Sequence, residues 1–169
     1  AAPDLVVEQI TATANNVTVV IKNQGDAPVT SGFWVDLYID PRPAPTRVNQ
    51  TWDDGRSSQG MVWGVTDDAL PLEPGASFTL TVGDAYYWPD YSNVNWPLPV
   101  GTPVYVQVDS ANVTTDYGAI LENHEMTGGP YNNISGPVLS TADAIAAQGF
   151  RMAPYMFVPV LSDDLPTRP

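Results

Sequence analysis

The sequence predicts an all-β sandwich, and three observations carry that prediction. Seventeen prolines and thirteen glycines punctuate the chain at short intervals, which suits short strands and tight turns and interrupts helices. Between them, apolar residues recur at every second position, the period of a strand with one face in a core. The segments that show this period number about seven, the count expected of a two-sheet sandwich of the immunoglobulin type.

The elements follow in order. Residues 5–10 and 17–23 read as the first two strands, joined by a turn at Asn15-Asn16. Phe33, Val35, Leu37 and Ile39 alternate with Trp34, Asp36, Tyr38 and Asp40, which predicts a half-buried third strand. Residues 61–65 are a shorter fourth candidate. Phe78, Leu80 and Val82 alternate with Ser77, Thr79 and Thr81 in a fifth. Pro74-Gly75 leads into it and suits a type II turn, whose third position needs a positive φ that glycine accepts. Val104, Val106 and Val108 alternate with Tyr105, Gln107 and Asp109 in a sixth, and residues 132–138 close the sandwich. The period of two assigns the core to Leu5, Val7, Val19, Ile21, Phe33, Val35, Leu37, Phe78, Leu80, Val104 and Val106.

Two long insertions interrupt the pattern. One spans residues 41–60 and is rich in Pro, Arg, Asn and Asp. The other spans 83–99 and holds Tyr86, Tyr87, Trp88, Tyr91 and Trp96. Long loops in a compact domain tend to be functional or disordered. The aromatic loop is a candidate ligand platform, with ring faces stacking on a sugar; the other reading is a satellite core beneath a long loop.

The character changes near residue 140, dividing the chain into a sandwich at 1–139 and an extension at 140–169. Ser140 or Thr141 caps a short predicted helix over 142–148, and Gly149 stops it. Residues 150–161 then form an extended apolar stretch that includes Phe150, Met156, Phe157, Val158 and Leu161. An uncovered segment of this kind promotes aggregation. It therefore packs on its own domain or enters a neighbouring copy as a donor strand. Pro154 and Pro159 have no N–H to give and are expected to face away from an acceptor strand.

Composition narrows the function. A net charge of -13, from 6 Lys and Arg against 19 Asp and Glu, excludes the basic footprint of a nucleic-acid binder. It also argues against docking on anionic lipid. No apolar run approaches the roughly 18 residues of a membrane span. There are no cysteines, hence no disulfide framework and no thiolate chemistry. Ala1-Ala2 fits the small side chains required at signal-peptide cleavage, which points to export.

Candidate chemistry is sparse. His124 is the single histidine, and Glu122-Asn123-His124-Glu125 superficially suggests a metal or acid–base cluster. Zinc enzymes use several nitrogen or sulfur ligands, so His124 is expected in a solvated loop. No nucleophile elbow, phosphate loop or dinucleotide fingerprint is present, and the expectation is a protein that is not an enzyme and needs no cofactor. Asp109, Asn112, Asp116, Glu122 and Glu125 gather oxygen donors around one loop. Asp109, Asp116, Glu122 and Glu125 are the candidate calcium ligands, with ordinary turn chemistry as the other reading. Asn16, Asn49, Asn112 and Asn133 each begin an Asn-x-Ser/Thr sequon and are the candidate glycosylation sites.

Four strings occur in a characteristic order: Pro3-Asp4-Leu5-Val6-Val7, Val19-Val20-Ile21-Lys22-Asn23-Gln24-Gly25-Asp26-Ala27, Leu72-Glu73-Pro74-Gly75-Ala76-Ser77 and Tyr105-Val106-Gln107-Val108-Asp109. Across roughly residues 3–139, their order and spacing resemble the bacterial cell-adhesion-related domain, CARDB. The resemblance implies an immunoglobulin-like β-sandwich on secreted or surface proteins, a fold that presents surfaces and rarely does chemistry. The expected function is a non-catalytic secreted subunit that links copies of itself into an extracellular fibre or surface layer through its C-terminal strand. The alternative is a cell-surface adhesion module that binds carbohydrate or protein through residues 83–99.

Overall fold

Alternating β-branched and polar residues build seven strands: β1 (Leu5–Ala12), β2 (Val17–Asn23), β3 (Phe33–Ile39), β4 (Gln59–Val65), β5 (Ser77–Thr81), β6 (Pro103–Val108) and β7 (Ile134–Leu139). The structure, a computed structural model, describes residues 1–143 and 164–169. One three-stranded sheet runs β1-β2-β5 and one four-stranded sheet runs β4-β3-β6-β7. Every pairing between these strands is antiparallel. The predicted all-β sandwich is therefore the fold. The Pro74-Gly75 turn is as expected: Gly75 has φ +79°, and Ala76 N–H donates to Glu73 O at 3.0 Å.

The inner core lies between the sheets. Leu5, Val19, Ile21, Phe33, Val35, Leu37, Leu80, Val104 and Val106 are all fully buried there. Val7 and Phe78 are half-buried at its margin instead. For Val7 the reason is a register shift between Val7 and Gln9 in the β1–β2 pairing. A bulge of this kind moves the inward positions by one residue, so Ile10 and Ala12 take over the core face.

The third strand departs from the sequence pattern. All seven residues of β3 are buried, Trp34, Asp36 and Tyr38 included, although alternation predicts a solvated outer face. A second cluster covers that face: Trp34, Tyr38, Trp52, Val62 and Ala111, with Trp88, Tyr105 and Leu165 packed against it. Both insertions contribute. Trp52 from residues 41–60 packs directly over Gly60 of β4, where a Cβ would collide with its ring. Residues 83–99 extend the β4 edge: Gly64 N–H donates to Tyr86 O at 2.8 Å, Trp88 N–H to Val62 O at 2.9 Å, and Gly60 and Asn93 exchange a pair of backbone bonds. This pairing removes an exposed sheet edge, which would otherwise be open to other chains.

Of the expected C-terminal extension, residues 144–163 lie outside the described part. The helix expected over 142–148 and the donor-strand residues Phe150, Met156, Phe157, Val158 and Leu161 fall almost wholly there. Residues 164–169 pack on the outer face of β3. Trp34 Nε1 donates to Pro166 O at 2.5 Å, and Val113 N–H donates to Thr167 O at 3.1 Å. Among the described residues, no helix is long and apolar enough to cross a membrane.

Candidate functional site

Two buried acidic sites stand out, at opposite faces of the fold's logic. The first centres on Asp36, in the middle of β3 and fully buried. Arg168 grips it in a fork, Nη1 to Oδ1 at 2.6 Å and Nη2 to Oδ2 at 2.8 Å. Ser110 Oγ donates to Oδ1 at 2.6 Å, and Trp52 N–H donates to Oδ2 at 3.1 Å. A bidentate arginine with further donors is the geometry that lets a carboxylate stay ionised in a low-dielectric setting. Burial opposes the Arg168 charge, but Asp36 outweighs it and holds the guanidinium above its ordinary range. The guanidinium also lies 5.1 Å from the Trp34 ring centroid and 5.8 Å from that of Tyr91, within cation–π range.

The second site joins the start of β1 to the connection between β6 and β7. That connection contains a short helix, α1 (Asn123–Thr127), closed by a reciprocal cap between Glu122 and Glu125 and ended by Gly128 at φ 72°. The helix corrects the expectation of a solvated loop. His124 is 8% exposed, because α1 turns its ring inward between Asp4 and Glu125. Its Nδ1 lies 3.6 Å from Asp4 Oδ1, and its Nε2 lies 3.5 Å from Glu125 Oε1. Glu122 is fully buried. Its Oε2 accepts from Leu5 N–H at 2.5 Å, and its Oε1 accepts from Asn133 Nδ2 at 2.5 Å.

No arginine or lysine reaches this second cluster by an ion pair among the described residues. Burial first, and the Asp109 carboxyl second, push the Glu122 carboxyl up to about 9; the bonds from Asn133 and Leu5 act the other way. Burial likewise pushes Asp109 up to about 7, against the bonds it accepts from Ala119 and Ile120. Both carboxyls are thus pushed toward their neutral form, because desolvation outweighs the bonds they accept.

The four candidate calcium ligands do not converge. Asp109 spends Oδ1 on Ala119 N–H at 2.8 Å and Oδ2 on Ile120 N–H at 2.9 Å. Asp116 is exposed. Among the described residues, the group of three ligating side chains whose donor atoms lie within 4.8 Å of one another is Asp4, Glu122 and His124. Sequence spacing reached Glu122 but missed Asp4, which is more than a hundred residues away along the chain and is brought in by β1.

The sequons separate by exposure. Asn16 is exposed at the β1–β2 turn. Asn49 and Asn112 are half-buried and tie two loops together: Asn49 Oδ1 accepts from Asn112 N–H at 2.8 Å, and Asn49 Nδ2 donates to Thr115 O at 2.9 Å. Asn133 corrects its expectation. It is 2% exposed, and its Nδ2, the atom that would carry a glycan, donates to Glu122 Oε1 and Val108 O.

In the aromatic loop the rings mostly face one another. Trp88 and Tyr91 stack at 5.5 Å with an interplanar angle of 8°. Both meet Trp34 edge-on, at 5.2 and 5.8 Å. Tyr86 packs against Phe78 and Tyr87 against Trp63. Trp96 is partly buried against the inner core. Tyr86, Tyr87, Trp88 and Trp96 are thus half-buried in these contacts, while Tyr91 remains exposed.

No protein-family model matches the sequence, and no curated protein matches it. What fold and sites define is a β-sandwich with two packed layers and two buried acidic sites.

Proposed function

We propose that this chain is a non-catalytic, secreted structural subunit of the CARDB type that joins copies of itself through its C-terminal segment. One observation carries the reading: residues 164–169 pack on the outer face of β3 of their own chain, held by the buried Arg168–Asp36 pair, the Leu165 side chain and the backbone oxygens of Pro166 and Thr167. The apolar stretch 150–161, expected as the donor strand, lies outside the described residues. The same face would take the segment from a neighbouring copy, and exchange of an identical element is a low-cost route to assembly. Glu122 and Asp109, the carboxyls pushed up most, are sealed from solvent, which supports a structural rather than a catalytic role. The alternative adhesion reading through residues 83–99 draws less support, since Trp88 and Tyr91 stack on each other and meet Trp34 edge-on rather than standing free as a platform.

Negative-stain microscopy and size-exclusion chromatography of concentrated protein test the proposal. The full chain is expected to form linear assemblies, and both a chain cut after Gly149 and the Arg168→Ala variant are expected to lose them. Native-like fibres from the truncated chain would refute assembly through this segment. Export is tested separately: intact-mass measurement of native material is expected to show added glycan at Asn16, and a bare 18.2 kDa chain would count against it.

A further inference from the structure

The second acidic site has the arrangement of a metal centre. Among the described residues, four buried side-chain atoms have no hydrogen-bond partner: Ser57 Oγ, His124 Nδ1, Asn132 Oδ1 and Asn133 Oδ1. Three of the four belong to this one cluster, and all three are, or can be, lone-pair donors. Buried polar atoms are nearly always satisfied, so the His124 Nδ1 that faces Asp4 Oδ1 at 3.6 Å without a hydrogen bond calls for a partner. We propose that Asp4, Glu122 and His124 bind a divalent transition-metal ion, of the Zn2+ or Mn2+ type, that clamps the start of β1 to the β6–β7 connection.

The proton inventory supports this. Asn132 Nδ2 donates to Asp4 Oδ1 at 3.0 Å, and Asn133 Nδ2 donates to Glu122 Oε1 and Val108 O. These bonds fix which end of each amide is nitrogen, so both amide oxygens are true unpaired acceptors. His124 Nε2 faces Glu125 Oε1 at 3.5 Å. With the hydrogen on Nε2, Nδ1 carries a lone pair and confronts Asp4 Oδ1 at 3.6 Å. Two acceptors that face each other in a buried site need a proton or a metal ion between them, and a metal ion would also engage Glu122, the third side chain of the group.

The surroundings match the second shell of a metal site. A ligating imidazole usually gives its other N–H to a carboxylate, and ligating carboxylates are themselves hydrogen-bonded. Glu125 takes the first role. Gln24 Nε2 and Asn132 Nδ2 hold Asp4, and Leu5 N–H and Asn133 hold Glu122. The three ligating atoms lie within 4.8 Å of one another, and bonds of about 2.0–2.1 Å to an ion would bring them to roughly 3.3 Å. Calcium suits the donor set less well, because it takes six to eight ligands, all oxygen, whereas imidazole favours transition metals.

The test uses the full chain, stripped with chelator and dialysed, and titrated separately with Zn2+, Mn2+ and Ca2+ by calorimetry. The expected result is uptake of one equivalent of Zn2+ or Mn2+. His124→Ala and Asp4→Asn, each checked for folding by circular dichroism, are expected to lose about tenfold or more in affinity. A measurement on the unaltered chain avoids dependence on the variants: the His124 Nδ1 resonance, rather than Nε2, is expected to move in 15N NMR when Zn2+ is added. The inference is overturned by absence of stoichiometric uptake, by uptake that leaves His124 Nδ1 unmoved, or by uptake of Ca2+ with Zn2+ and Mn2+ refused.

Discussion

Asp36 and Glu122 are both carboxyl groups that solvent does not reach, and their surroundings differ in one respect. Asp36 meets a guanidinium, a hydroxyl and a backbone amide. Glu122 meets a backbone amide and an asparagine, and its nearest charged neighbours are acidic. The first site is closed electrically by a residue from the far end of the sequence. The second is left with acidic neighbours and unpaired acceptors. Burying a charge is tolerable only when a partner and further hydrogen bonds replace the lost water. The protein supplies that partner itself at Asp36. At Glu122 a proton or a metal ion must supply it.

The largest effect expected from this contrast is at the closed site. Arg168→Met strands the Asp36 carboxylate in the outer layer and should cost about 3–5 kcal/mol in urea unfolding. Adding Asp36→Leu should restore most of that loss, since an apolar pair of similar volume is often as stable as the ion pair. If the single variant lost under about 1 kcal/mol, the two sites would not differ as described.

The second expectation concerns pH, with chelator present. Unfolded, the Glu122 carboxyl titrates near its ordinary 4.5, whereas in the folded chain it holds its proton to about 9. Between those values the folded state binds more protons than the unfolded state, so its stability falls as pH rises. The contribution is complete below about pH 4.5 and is gone above about pH 9. Asp109 adds to the slope up to about pH 7. Glu122→Gln should flatten the slope whatever it does to absolute stability. A wild-type stability that rose between pH 5 and 9 would reverse the argument.

The smallest effect is local. Glu125 Oε2 accepts from Glu122 N–H at 2.7 Å, completing the cap of α1. Glu125→Ala should cost about 0.5–2 kcal/mol, with hydrogen exchange accelerated in α1 and unchanged in β3. Equal acceleration in both would mean that the two sites are one cooperative unit.

Much of the fold is legible in the sequence, and the reason is local. Alternation in Phe33-Trp34-Val35-Asp36-Leu37 needs only the two-residue period of a strand, and Pro74-Gly75 needs only glycine's tolerance of positive φ. The bulge near Glu8 was not legible, because a register shift depends on the partner strand. The helix at α1 was missed because its cap uses glutamate at both positions rather than the usual serine or threonine lead. One signal for the first buried site was visible: Asp36 sits in the centre of a strand between apolar neighbours, an improbable place for an unpaired charge.

By itself the sequence determined most of the strands and turns and, away from the bulge in β1, most of the positions that face the inner core, since these follow from neighbours one or two residues apart. Only the tertiary structure decided that the outer face of β3 is a second core. That depends on Trp52, Trp88 and Leu165 arriving from three distant segments. The same holds for the two acidic sites. Asp36 and Arg168 lie 132 positions apart, and Leu5, whose N–H binds Glu122, lies 117 positions from it. Periodicity carries no information about such pairs, because long-range partners are chosen by how the sheets and loops close on one another.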